Sequence, residues 1–259
     1  MSYVRLIYAD GTVETLPPSA ITDRLTLVHT CDGNIHTLTL TPMTEGIALS
    51  FLDYITDIPT SLLEPAEDLR FYDNAQHIVD VSHVYAYADH REHEVKDLAV
   101  FKNLTTKEVF LAGMLTAHRF WAAMLLKDDN LIIRHDMEER PLHAGEAYVM
   151  ERFMLMGGQD NENALLETYA DKVALLNNAR PTGKLPVGFC SWSCYFDDVN
   201  QEKIRRAADM QMTYAAHGSP NLVQIDHGWQ AGYKSFFPGD WYGDPDRFPD
   251  GMAATAVST

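Results

Sequence analysis

The hydrophobic period of this chain changes once, close to Asp160, and that change limits what the chain can fold into. From Tyr3 to about Met156, apolar residues recur with period two in short runs, separated by clusters of Asn, Asp, Gly and Thr. Such alternation sends one set of side chains to a core and the other to water, so each run predicts a half-buried strand. Tyr3 to Tyr8, Asp10-Gly11 and Thr12 to Leu16 predict a hairpin, because Asp-Gly supplies the positive φ of a tight reversing turn. Further strands are predicted over Ile35–Thr41, Ile78–Tyr87, Glu94–Leu104, Lys107–Ala117, Phe120–Leu126, Leu131–His135 and Ala147–Met156. Regularly spaced strands without a helical period between them imply an antiparallel sandwich or barrel.

Past Asp160 the period becomes helical. Asp160–Asn178 opens with Asx capping candidates and sets Leu165, Tyr169, Val173 and Leu176 on one face. Ala179–Lys184, with Pro181 and Gly183, reads as a linker, which places the helix between two domains. Val187–Trp192 then predicts a short strand. Asn200–His217 predicts a helix with Ile204, Ala207, Ala208 and Met212 inward and Gly218 at its end, and Leu222–Asp226 predicts the next strand. Strand, helix and strand at this spacing make a βαβ unit and imply a parallel sheet.

With 46% hydrophobic and 22% charged residues, the 259-residue chain has globular composition. Its formal net charge of -17 opposes nucleic acid and anionic membrane as partners and leaves neutral sugars unaffected. The start lacks a basic region followed by an apolar one, and no apolar stretch reaches the ~20 residues of a membrane span. Cys31, Cys190 and Cys194 form no even framework and no CxxC pair, so a reduced cytoplasmic protein is expected, with packing roles for all three. His83, His90 and His93 lie around a polar turn and read as a solvated loop, so no metal site and no cofactor are predicted. Asp197 and Asp198 are expected to begin the second helix, and Phe71 and Tyr72 to serve packing.

Two strand tips carry the candidate chemistry. Trp192 is expected to end the first strand of the βαβ unit, and Asp226, His227 and Trp229 to end the second, all at the C-terminal face where α/β folds bind ligands. Indole faces beside a fixed carboxylate suit a sugar, whose apolar face stacks and whose vicinal hydroxyls donate. The residue types alone equally allow core tryptophans and a capping aspartate. Gly239–Met252, rich in Trp, Pro, Gly and Asp, is expected to be an irregular, functional loop, and it carries Trp241.

The ordered motifs Gly188-Phe-Cys-Ser-Trp192, Gln224-Ile-Asp-His-Gly-Trp-Gln230, Gly239-Asp-Trp241 and Arg247-Phe-Pro-Asp-Gly-Met252 resemble the opening of the catalytic barrel in glycoside hydrolase family 36. This is the α-galactosidase family that also includes raffinose-synthase-like transferases. Leu142–Glu146, Met150-Glu151, Gly158–Asp160 and Leu166–Ala170 resemble that family's passage from its N-terminal β-sandwich into the helix before the barrel.

The resemblance implies an N-terminal antiparallel β-sandwich (supersandwich) over residues 1–158 and a connecting helix and linker over 159–184. The first βαβ unit of a truncated (β/α)8 TIM barrel would follow over 185–259. It implies that Trp192 lines the sugar subsite and that Asp226 matches the first of two adjacent aspartates holding galactose hydroxyls. His227 stands where the second aspartate is usual, Trp229 follows in the same motif, and Trp241 forms a further aromatic wall. The family is retaining, with its two carboxylates at the fourth and sixth strand tips. A whole barrel takes about 200 to 250 residues. No catalytic residue is therefore expected in this chain, and the chain alone is expected to be inactive. The implied parent hydrolyses terminal α-linked galactose in oligosaccharides and is homo-oligomeric. Alternatives are a raffinose-synthase-like transferase and a non-catalytic carbohydrate-binding or assembly sandwich.

Overall fold

The computed structural model describes residues 2–74, 81–181, 183, 186–214, 222–234, 237 and 239–257. They form two compact units, 1–180 and 181–259.

In the first unit, the described residues form two antiparallel sheets around a shared core. One sheet runs Val13–Leu16, Tyr3–Tyr8, Ile47–Asp57, Asn130–Asp136, Trp121–Lys127 and His93–Val95, with Pro141–Leu142 beside Ile47–Asp57. The other runs Ala20–Ile21, Leu25–Asp32, Ile35–Pro42, Phe153–Gln159, Glu108–Met114, Leu98–Asn103, Leu69–Asp73 and His83–Ala86, with Tyr148–Val149 beside Ile35–Pro42. Val4, Leu6, Leu52 and Ile133 of the first sheet share a buried core with Leu27, Leu40, Phe101 and Phe153 of the second. The expected antiparallel sandwich is thus present. Its first hairpin turns at Gly11, with φ +84, while the Asp10 carboxylate accepts the Thr12 amide at 2.9 Å.

Several expected strands differ in detail. The Glu94–Leu104 run is two strands in different sheets, His93–Val95 and Leu98–Asn103. Val95 and, past the crossing at Lys96 and Asp97, Ala99 and Phe101 point into the shared core while Leu98 and Val100 face outward, so the apolar run itself does not mark the change of sheet. Ala147–Met156 likewise divides, with Glu151 in the break between Tyr148–Val149 and Phe153–Gln159. Of Ile78–Tyr87, residues 78–80 lie outside the described residues, and the strand is His83–Ala86. Ile47–Asp57 was not predicted. Leu52 through Ile55 are all buried there, and a strand covered on both faces loses its alternation.

The same reason explains the uninterrupted Val109–Met114 run, buried throughout. Its outer side, with Leu98, Val100, Met154 and Met156, is covered by the Glu162–Leu176 helix through Leu165, Leu166, Tyr169, Val173 and Leu176. The helix therefore packs on the sandwich. Gly113 permits this, because a Cβ there would stand 2.4 Å from the Tyr169 ring, whose hydroxyl donates to the Met114 carbonyl at 2.6 Å. The Asx residues do not cap it: the Asn161 side chain makes no capping bond, and Lys102 Nζ instead ties Asp160 at 2.8 Å and Glu162 at 2.7 Å.

The second unit contains a parallel pair, Gly188–Cys190 and Leu222–Gln224, joined through the Gln201–Tyr214 helix. Ile204, Ala207 and Ala208 are buried as expected, whereas Met212 is exposed. The expected continuation to His217 and the stop at Gly218 lie outside the described residues. Asn200, rather than Asp197 or Asp198, caps the helix, its Oδ1 accepting the Lys203 amide at 2.9 Å. Asp198 pairs with the Lys203 ammonium instead. The segment expected to be irregular contains a strand, Asp240–Gly243, paired antiparallel with Gln230–Ala231, and the Gly251–Val257 helix begins within it. Cys31 and Cys194 are exposed, contrary to the packing expected of them, and Cys190 is half-buried.

Candidate functional site

The site is built at the ends of the parallel pair. The first strand stops at Cys190, so Trp192 does not end it but opens a single helical turn, Trp192–Tyr195. Ser191 between them is fully buried and joins the two tips: its amide donates to the Gln224 carbonyl at 3.0 Å, and its Oγ accepts the Asp226 amide at 2.8 Å. The second strand stops at Gln224, which leaves Asp226 two residues beyond its end. Its Oδ1 accepts the amide of His227 at 2.8 Å, and the Cys190 thiol points to Oδ2 at 3.8 Å. A carboxylate at a strand mouth is held by such local donors and by whatever ligand arrives.

The aromatic residues form two groups. Trp192 meets the His227 ring at 5.8 Å, nearly edge to face, and also packs against Phe196. His227 continues to Tyr233 at 5.9 Å, and its Nδ1 is buried with no hydrogen-bond partner among the described residues. Trp229 meets Trp241 at 5.9 Å, while its other side joins the small core of Val199, Ile204 and Phe248. Trp229 is therefore part core residue and part wall, and Trp241 is 79% exposed. The sequence motifs thus place Trp192, Asp226 and His227 together and pair Trp229 with Trp241.

Ser191, Phe196 and Tyr233 were missed as site residues. Ser191 lies inside a motif already singled out, but its bridging role depends on the parallel register.

The turn after Asp226 is fixed by Gly228, at φ +98, where a Cβ would stand 2.1 Å from the Asp197 carbonyl. The Arg247 guanidinium bridges that carbonyl and the Gly228 carbonyl at 2.6 and 2.5 Å. Arg247 of the downstream motif thus clamps the two tip loops.

Elsewhere in the second unit an apolar hollow of about 500 Å³ is lined by Ile204, Ala208, Leu222, Val223, Ile225 and Met252. It has few polar groups with which to orient a sugar. Among the described residues no three His, Cys, Asp or Glu side chains converge as a metal site. His83, His90 and His93 surround Tyr85, and His93 Nε2 bonds Asp73 at 2.8 Å.

No protein-family model matches the sequence. The fold, however, is similar to that of an α-galactosidase from Lactobacillus brevis, at TM-score 0.55 and 14% identity, with 98% of this chain and 42% of that one covered. It is also similar to the family 36 α-galactosidase of Geobacillus stearothermophilus, at TM-score 0.60 and 14% identity, with 99% and 43% covered. A third likeness is to the galactosidase domain of an α-galactosidase-sucrose kinase, at TM-score 0.53 and 11% identity, with 98% and 43% covered. The chain spans about two fifths of the length of these structures, and what it shares with them is the fold of their N-terminal portion.

Proposed function

We propose that this chain is the N-terminal sandwich and the opening βαβ unit of a (β/α)8 barrel in a retaining α-galactosidase-like glycoside hydrolase. The observation that carries this reading is the Asp226 carboxylate at the mouth of a parallel strand pair, beside Trp192 and His227. Asp226 accepts hydrogen bonds from vicinal hydroxyls of a terminal α-linked galactose, and the His227 imidazole takes one bond where a second carboxylate would take two. The Trp192, Trp229 and Trp241 rings receive the apolar sugar face. The apolar hollow beside Leu222 and Val223 suits a sheet face that further barrel strands and helices cover.

In this reading the nucleophile and the acid/base carboxylate, about 5 to 5.5 Å apart in a retaining site, belong to strand tips outside these 259 residues. The protein works in the cytoplasm, without a cofactor, as a homo-oligomer. The chain alone releases no nitrophenol from nitrophenyl α-galactoside, while a protein extended through the remaining barrel does so with retention. Turnover by the isolated 259 residues would overturn the assignment of the nucleophile. Accumulation of a galactosylated acceptor with sucrose present would make the extended enzyme a transferase of the raffinose-synthase kind.

A further inference from the structure

The outer face of the first sheet carries an indole that the sandwich core does not use. Trp121 opens the Trp121–Lys127 strand and is 67% exposed, whereas Met124 and Leu126 of that strand are buried in the core. The neighbouring His93–Val95 strand pairs only with residues 124–126, so it stops short of Trp121. The turn leading into Trp121 is held rigidly, because the buried Glu151 carboxylate accepts the amides of His118, Arg119 and Phe120 at 2.7 to 3.0 Å.

Polar groups flank the indole on both sides. Asp136 is its direct cross-strand partner, which sets their Cβ atoms about 5 Å apart on one face. Asp136 Oδ1 accepts the Glu138 amide at 2.8 Å. Beyond Asp136 lies a hollow of about 530 Å³ whose walls include Ser50, Phe51, Glu138 and Glu139. On the other side a hollow of about 360 Å³ is lined by Trp121 with Asp97, His118, Arg119 and Phe120.

We infer that this surface is a saccharide-binding site of the sandwich itself, with Trp121 as the stacking platform and Asp136 as the hydroxyl acceptor. A single exposed indole is ordinary. An indole on a pre-ordered turn, with a carboxylate in register and a concavity on either side, matches a pyranose, which offers an apolar C–H face and a rim of donor hydroxyls. Arg119 is paired with Glu146 and Arg140 with Glu138, so Asp136 and Glu139 leave the surface acidic and the ligand is a neutral sugar rather than a nucleotide or an acidic glycan. Its residues all belong to the first unit, and the inference does not rest on the proposed hydrolase activity.

The four tryptophans, Trp121, Trp192, Trp229 and Trp241, give four indole N–H signals in a nitrogen-labelled sample of the full chain. Titration with melibiose, raffinose and cellobiose is expected to move the Trp121 signal saturably, with a dissociation constant on the order of millimolar. Trp121→Ala and Asp136→Asn should weaken this binding at least tenfold, Trp121→Phe should retain part of it, and Trp192→Ala should leave it unchanged. A Trp121 signal that stays still while Trp192 or Trp241 moves would overturn the inference and leave the strand-tip reading intact. Movement of Trp121 on dilution without sugar would also overturn it, by showing that a second copy of the chain covers the indole. Silence of all four signals would count against both readings.

Discussion

Acidic side chains mean different things in the two units. In the sandwich, Asp53 is fully buried, yet Arg5 and Arg134 reach it at 2.7 and 2.8 Å. Glu151, 2% exposed, accepts four hydrogen bonds, from the Thr116 hydroxyl and three successive amides. Burial alone pushes the Glu151 pKa up, but those donors outweigh it and hold the carboxyl below its usual range. Both acids are saturated by the fold, so they act as structural parts. In the second unit Asp226 is held by one backbone amide and faces a thiol, beside a histidine nitrogen with no partner among the described residues. A saturated buried acid stabilises, whereas a sparingly bonded one at a strand mouth is left for a ligand.

The sharpest way to break this contrast is to remove Glu151. Glu151→Ala strands three amides and a hydroxyl, at a cost of about 3–5 kcal/mol. Thermal unfolding of the sandwich should drop by on the order of 10 °C. An unchanged midpoint would mean that water replaces the carboxylate and that the acid is not structural.

Phe248→Ala, in the small core with Val199 and Ile204, removes about 3 kcal/mol from a unit with far less apolar burial. Hydrogen exchange should show residues 186–257 losing protection while the sandwich keeps its own. Equal protection of the two units in the unaltered protein would show that the smaller core is no less stable.

Gly113→Ala places a methyl against Tyr169 and should cost about 1–3 kcal/mol, loosening the Glu162–Leu176 helix. Faster exchange confined to that helix is the expected readout, and Tyr169→Ala in the same background should relieve the clash without restoring the packing.

A smaller effect concerns acid. Burial, with His29 beside it, lowers the His36 pKa from 6.5 to about 4. Because the folded value lies below the unfolded one, its contribution is complete above the unfolded value and is lost as pH falls toward about 4. Glu151, also depressed, adds a loss of the same sign as pH falls below the ordinary carboxylate range. The sandwich should therefore weaken steadily on acidification, and His36→Phe should flatten the upper part of that profile.

Smallest in stability is Asp226→Asn, expected to change unfolding by no more than about 0.5 kcal/mol. The proposed role of Asp226 as a sugar ligand predicts that the same substitution abolishes galactoside binding at the strand tips. A large destabilisation would make Asp226 a structural acid like Glu151.

Much of the sandwich was legible because a half-buried strand writes its burial into period two. Tyr3–Tyr8 and Ile35–Pro42 show this. Ile47–Asp57 was not legible, since two-sided burial removes the alternation and Asp53 imitates a surface position. At the site, motif order brought out Trp192, Asp226 and His227, but the strands proved two residues shorter than their apolar runs. Ser191, Phe196 and Tyr233 joined only through spatial contact.

The sequence by itself determined where the chain changes from strands to helices, which turns reverse it, and which residue types could meet a sugar, because these follow from local periodicity and side-chain chemistry. Only the tertiary structure decided that the Glu162–Leu176 helix packs on the sandwich and that Glu94–Leu104 changes sheets. Only it separated Glu151, a spent acid, from Asp226, an available one. Those outcomes depend on which distant groups arrive as partners, and hydrogen bonding and burial across dozens of residues leave no local trace.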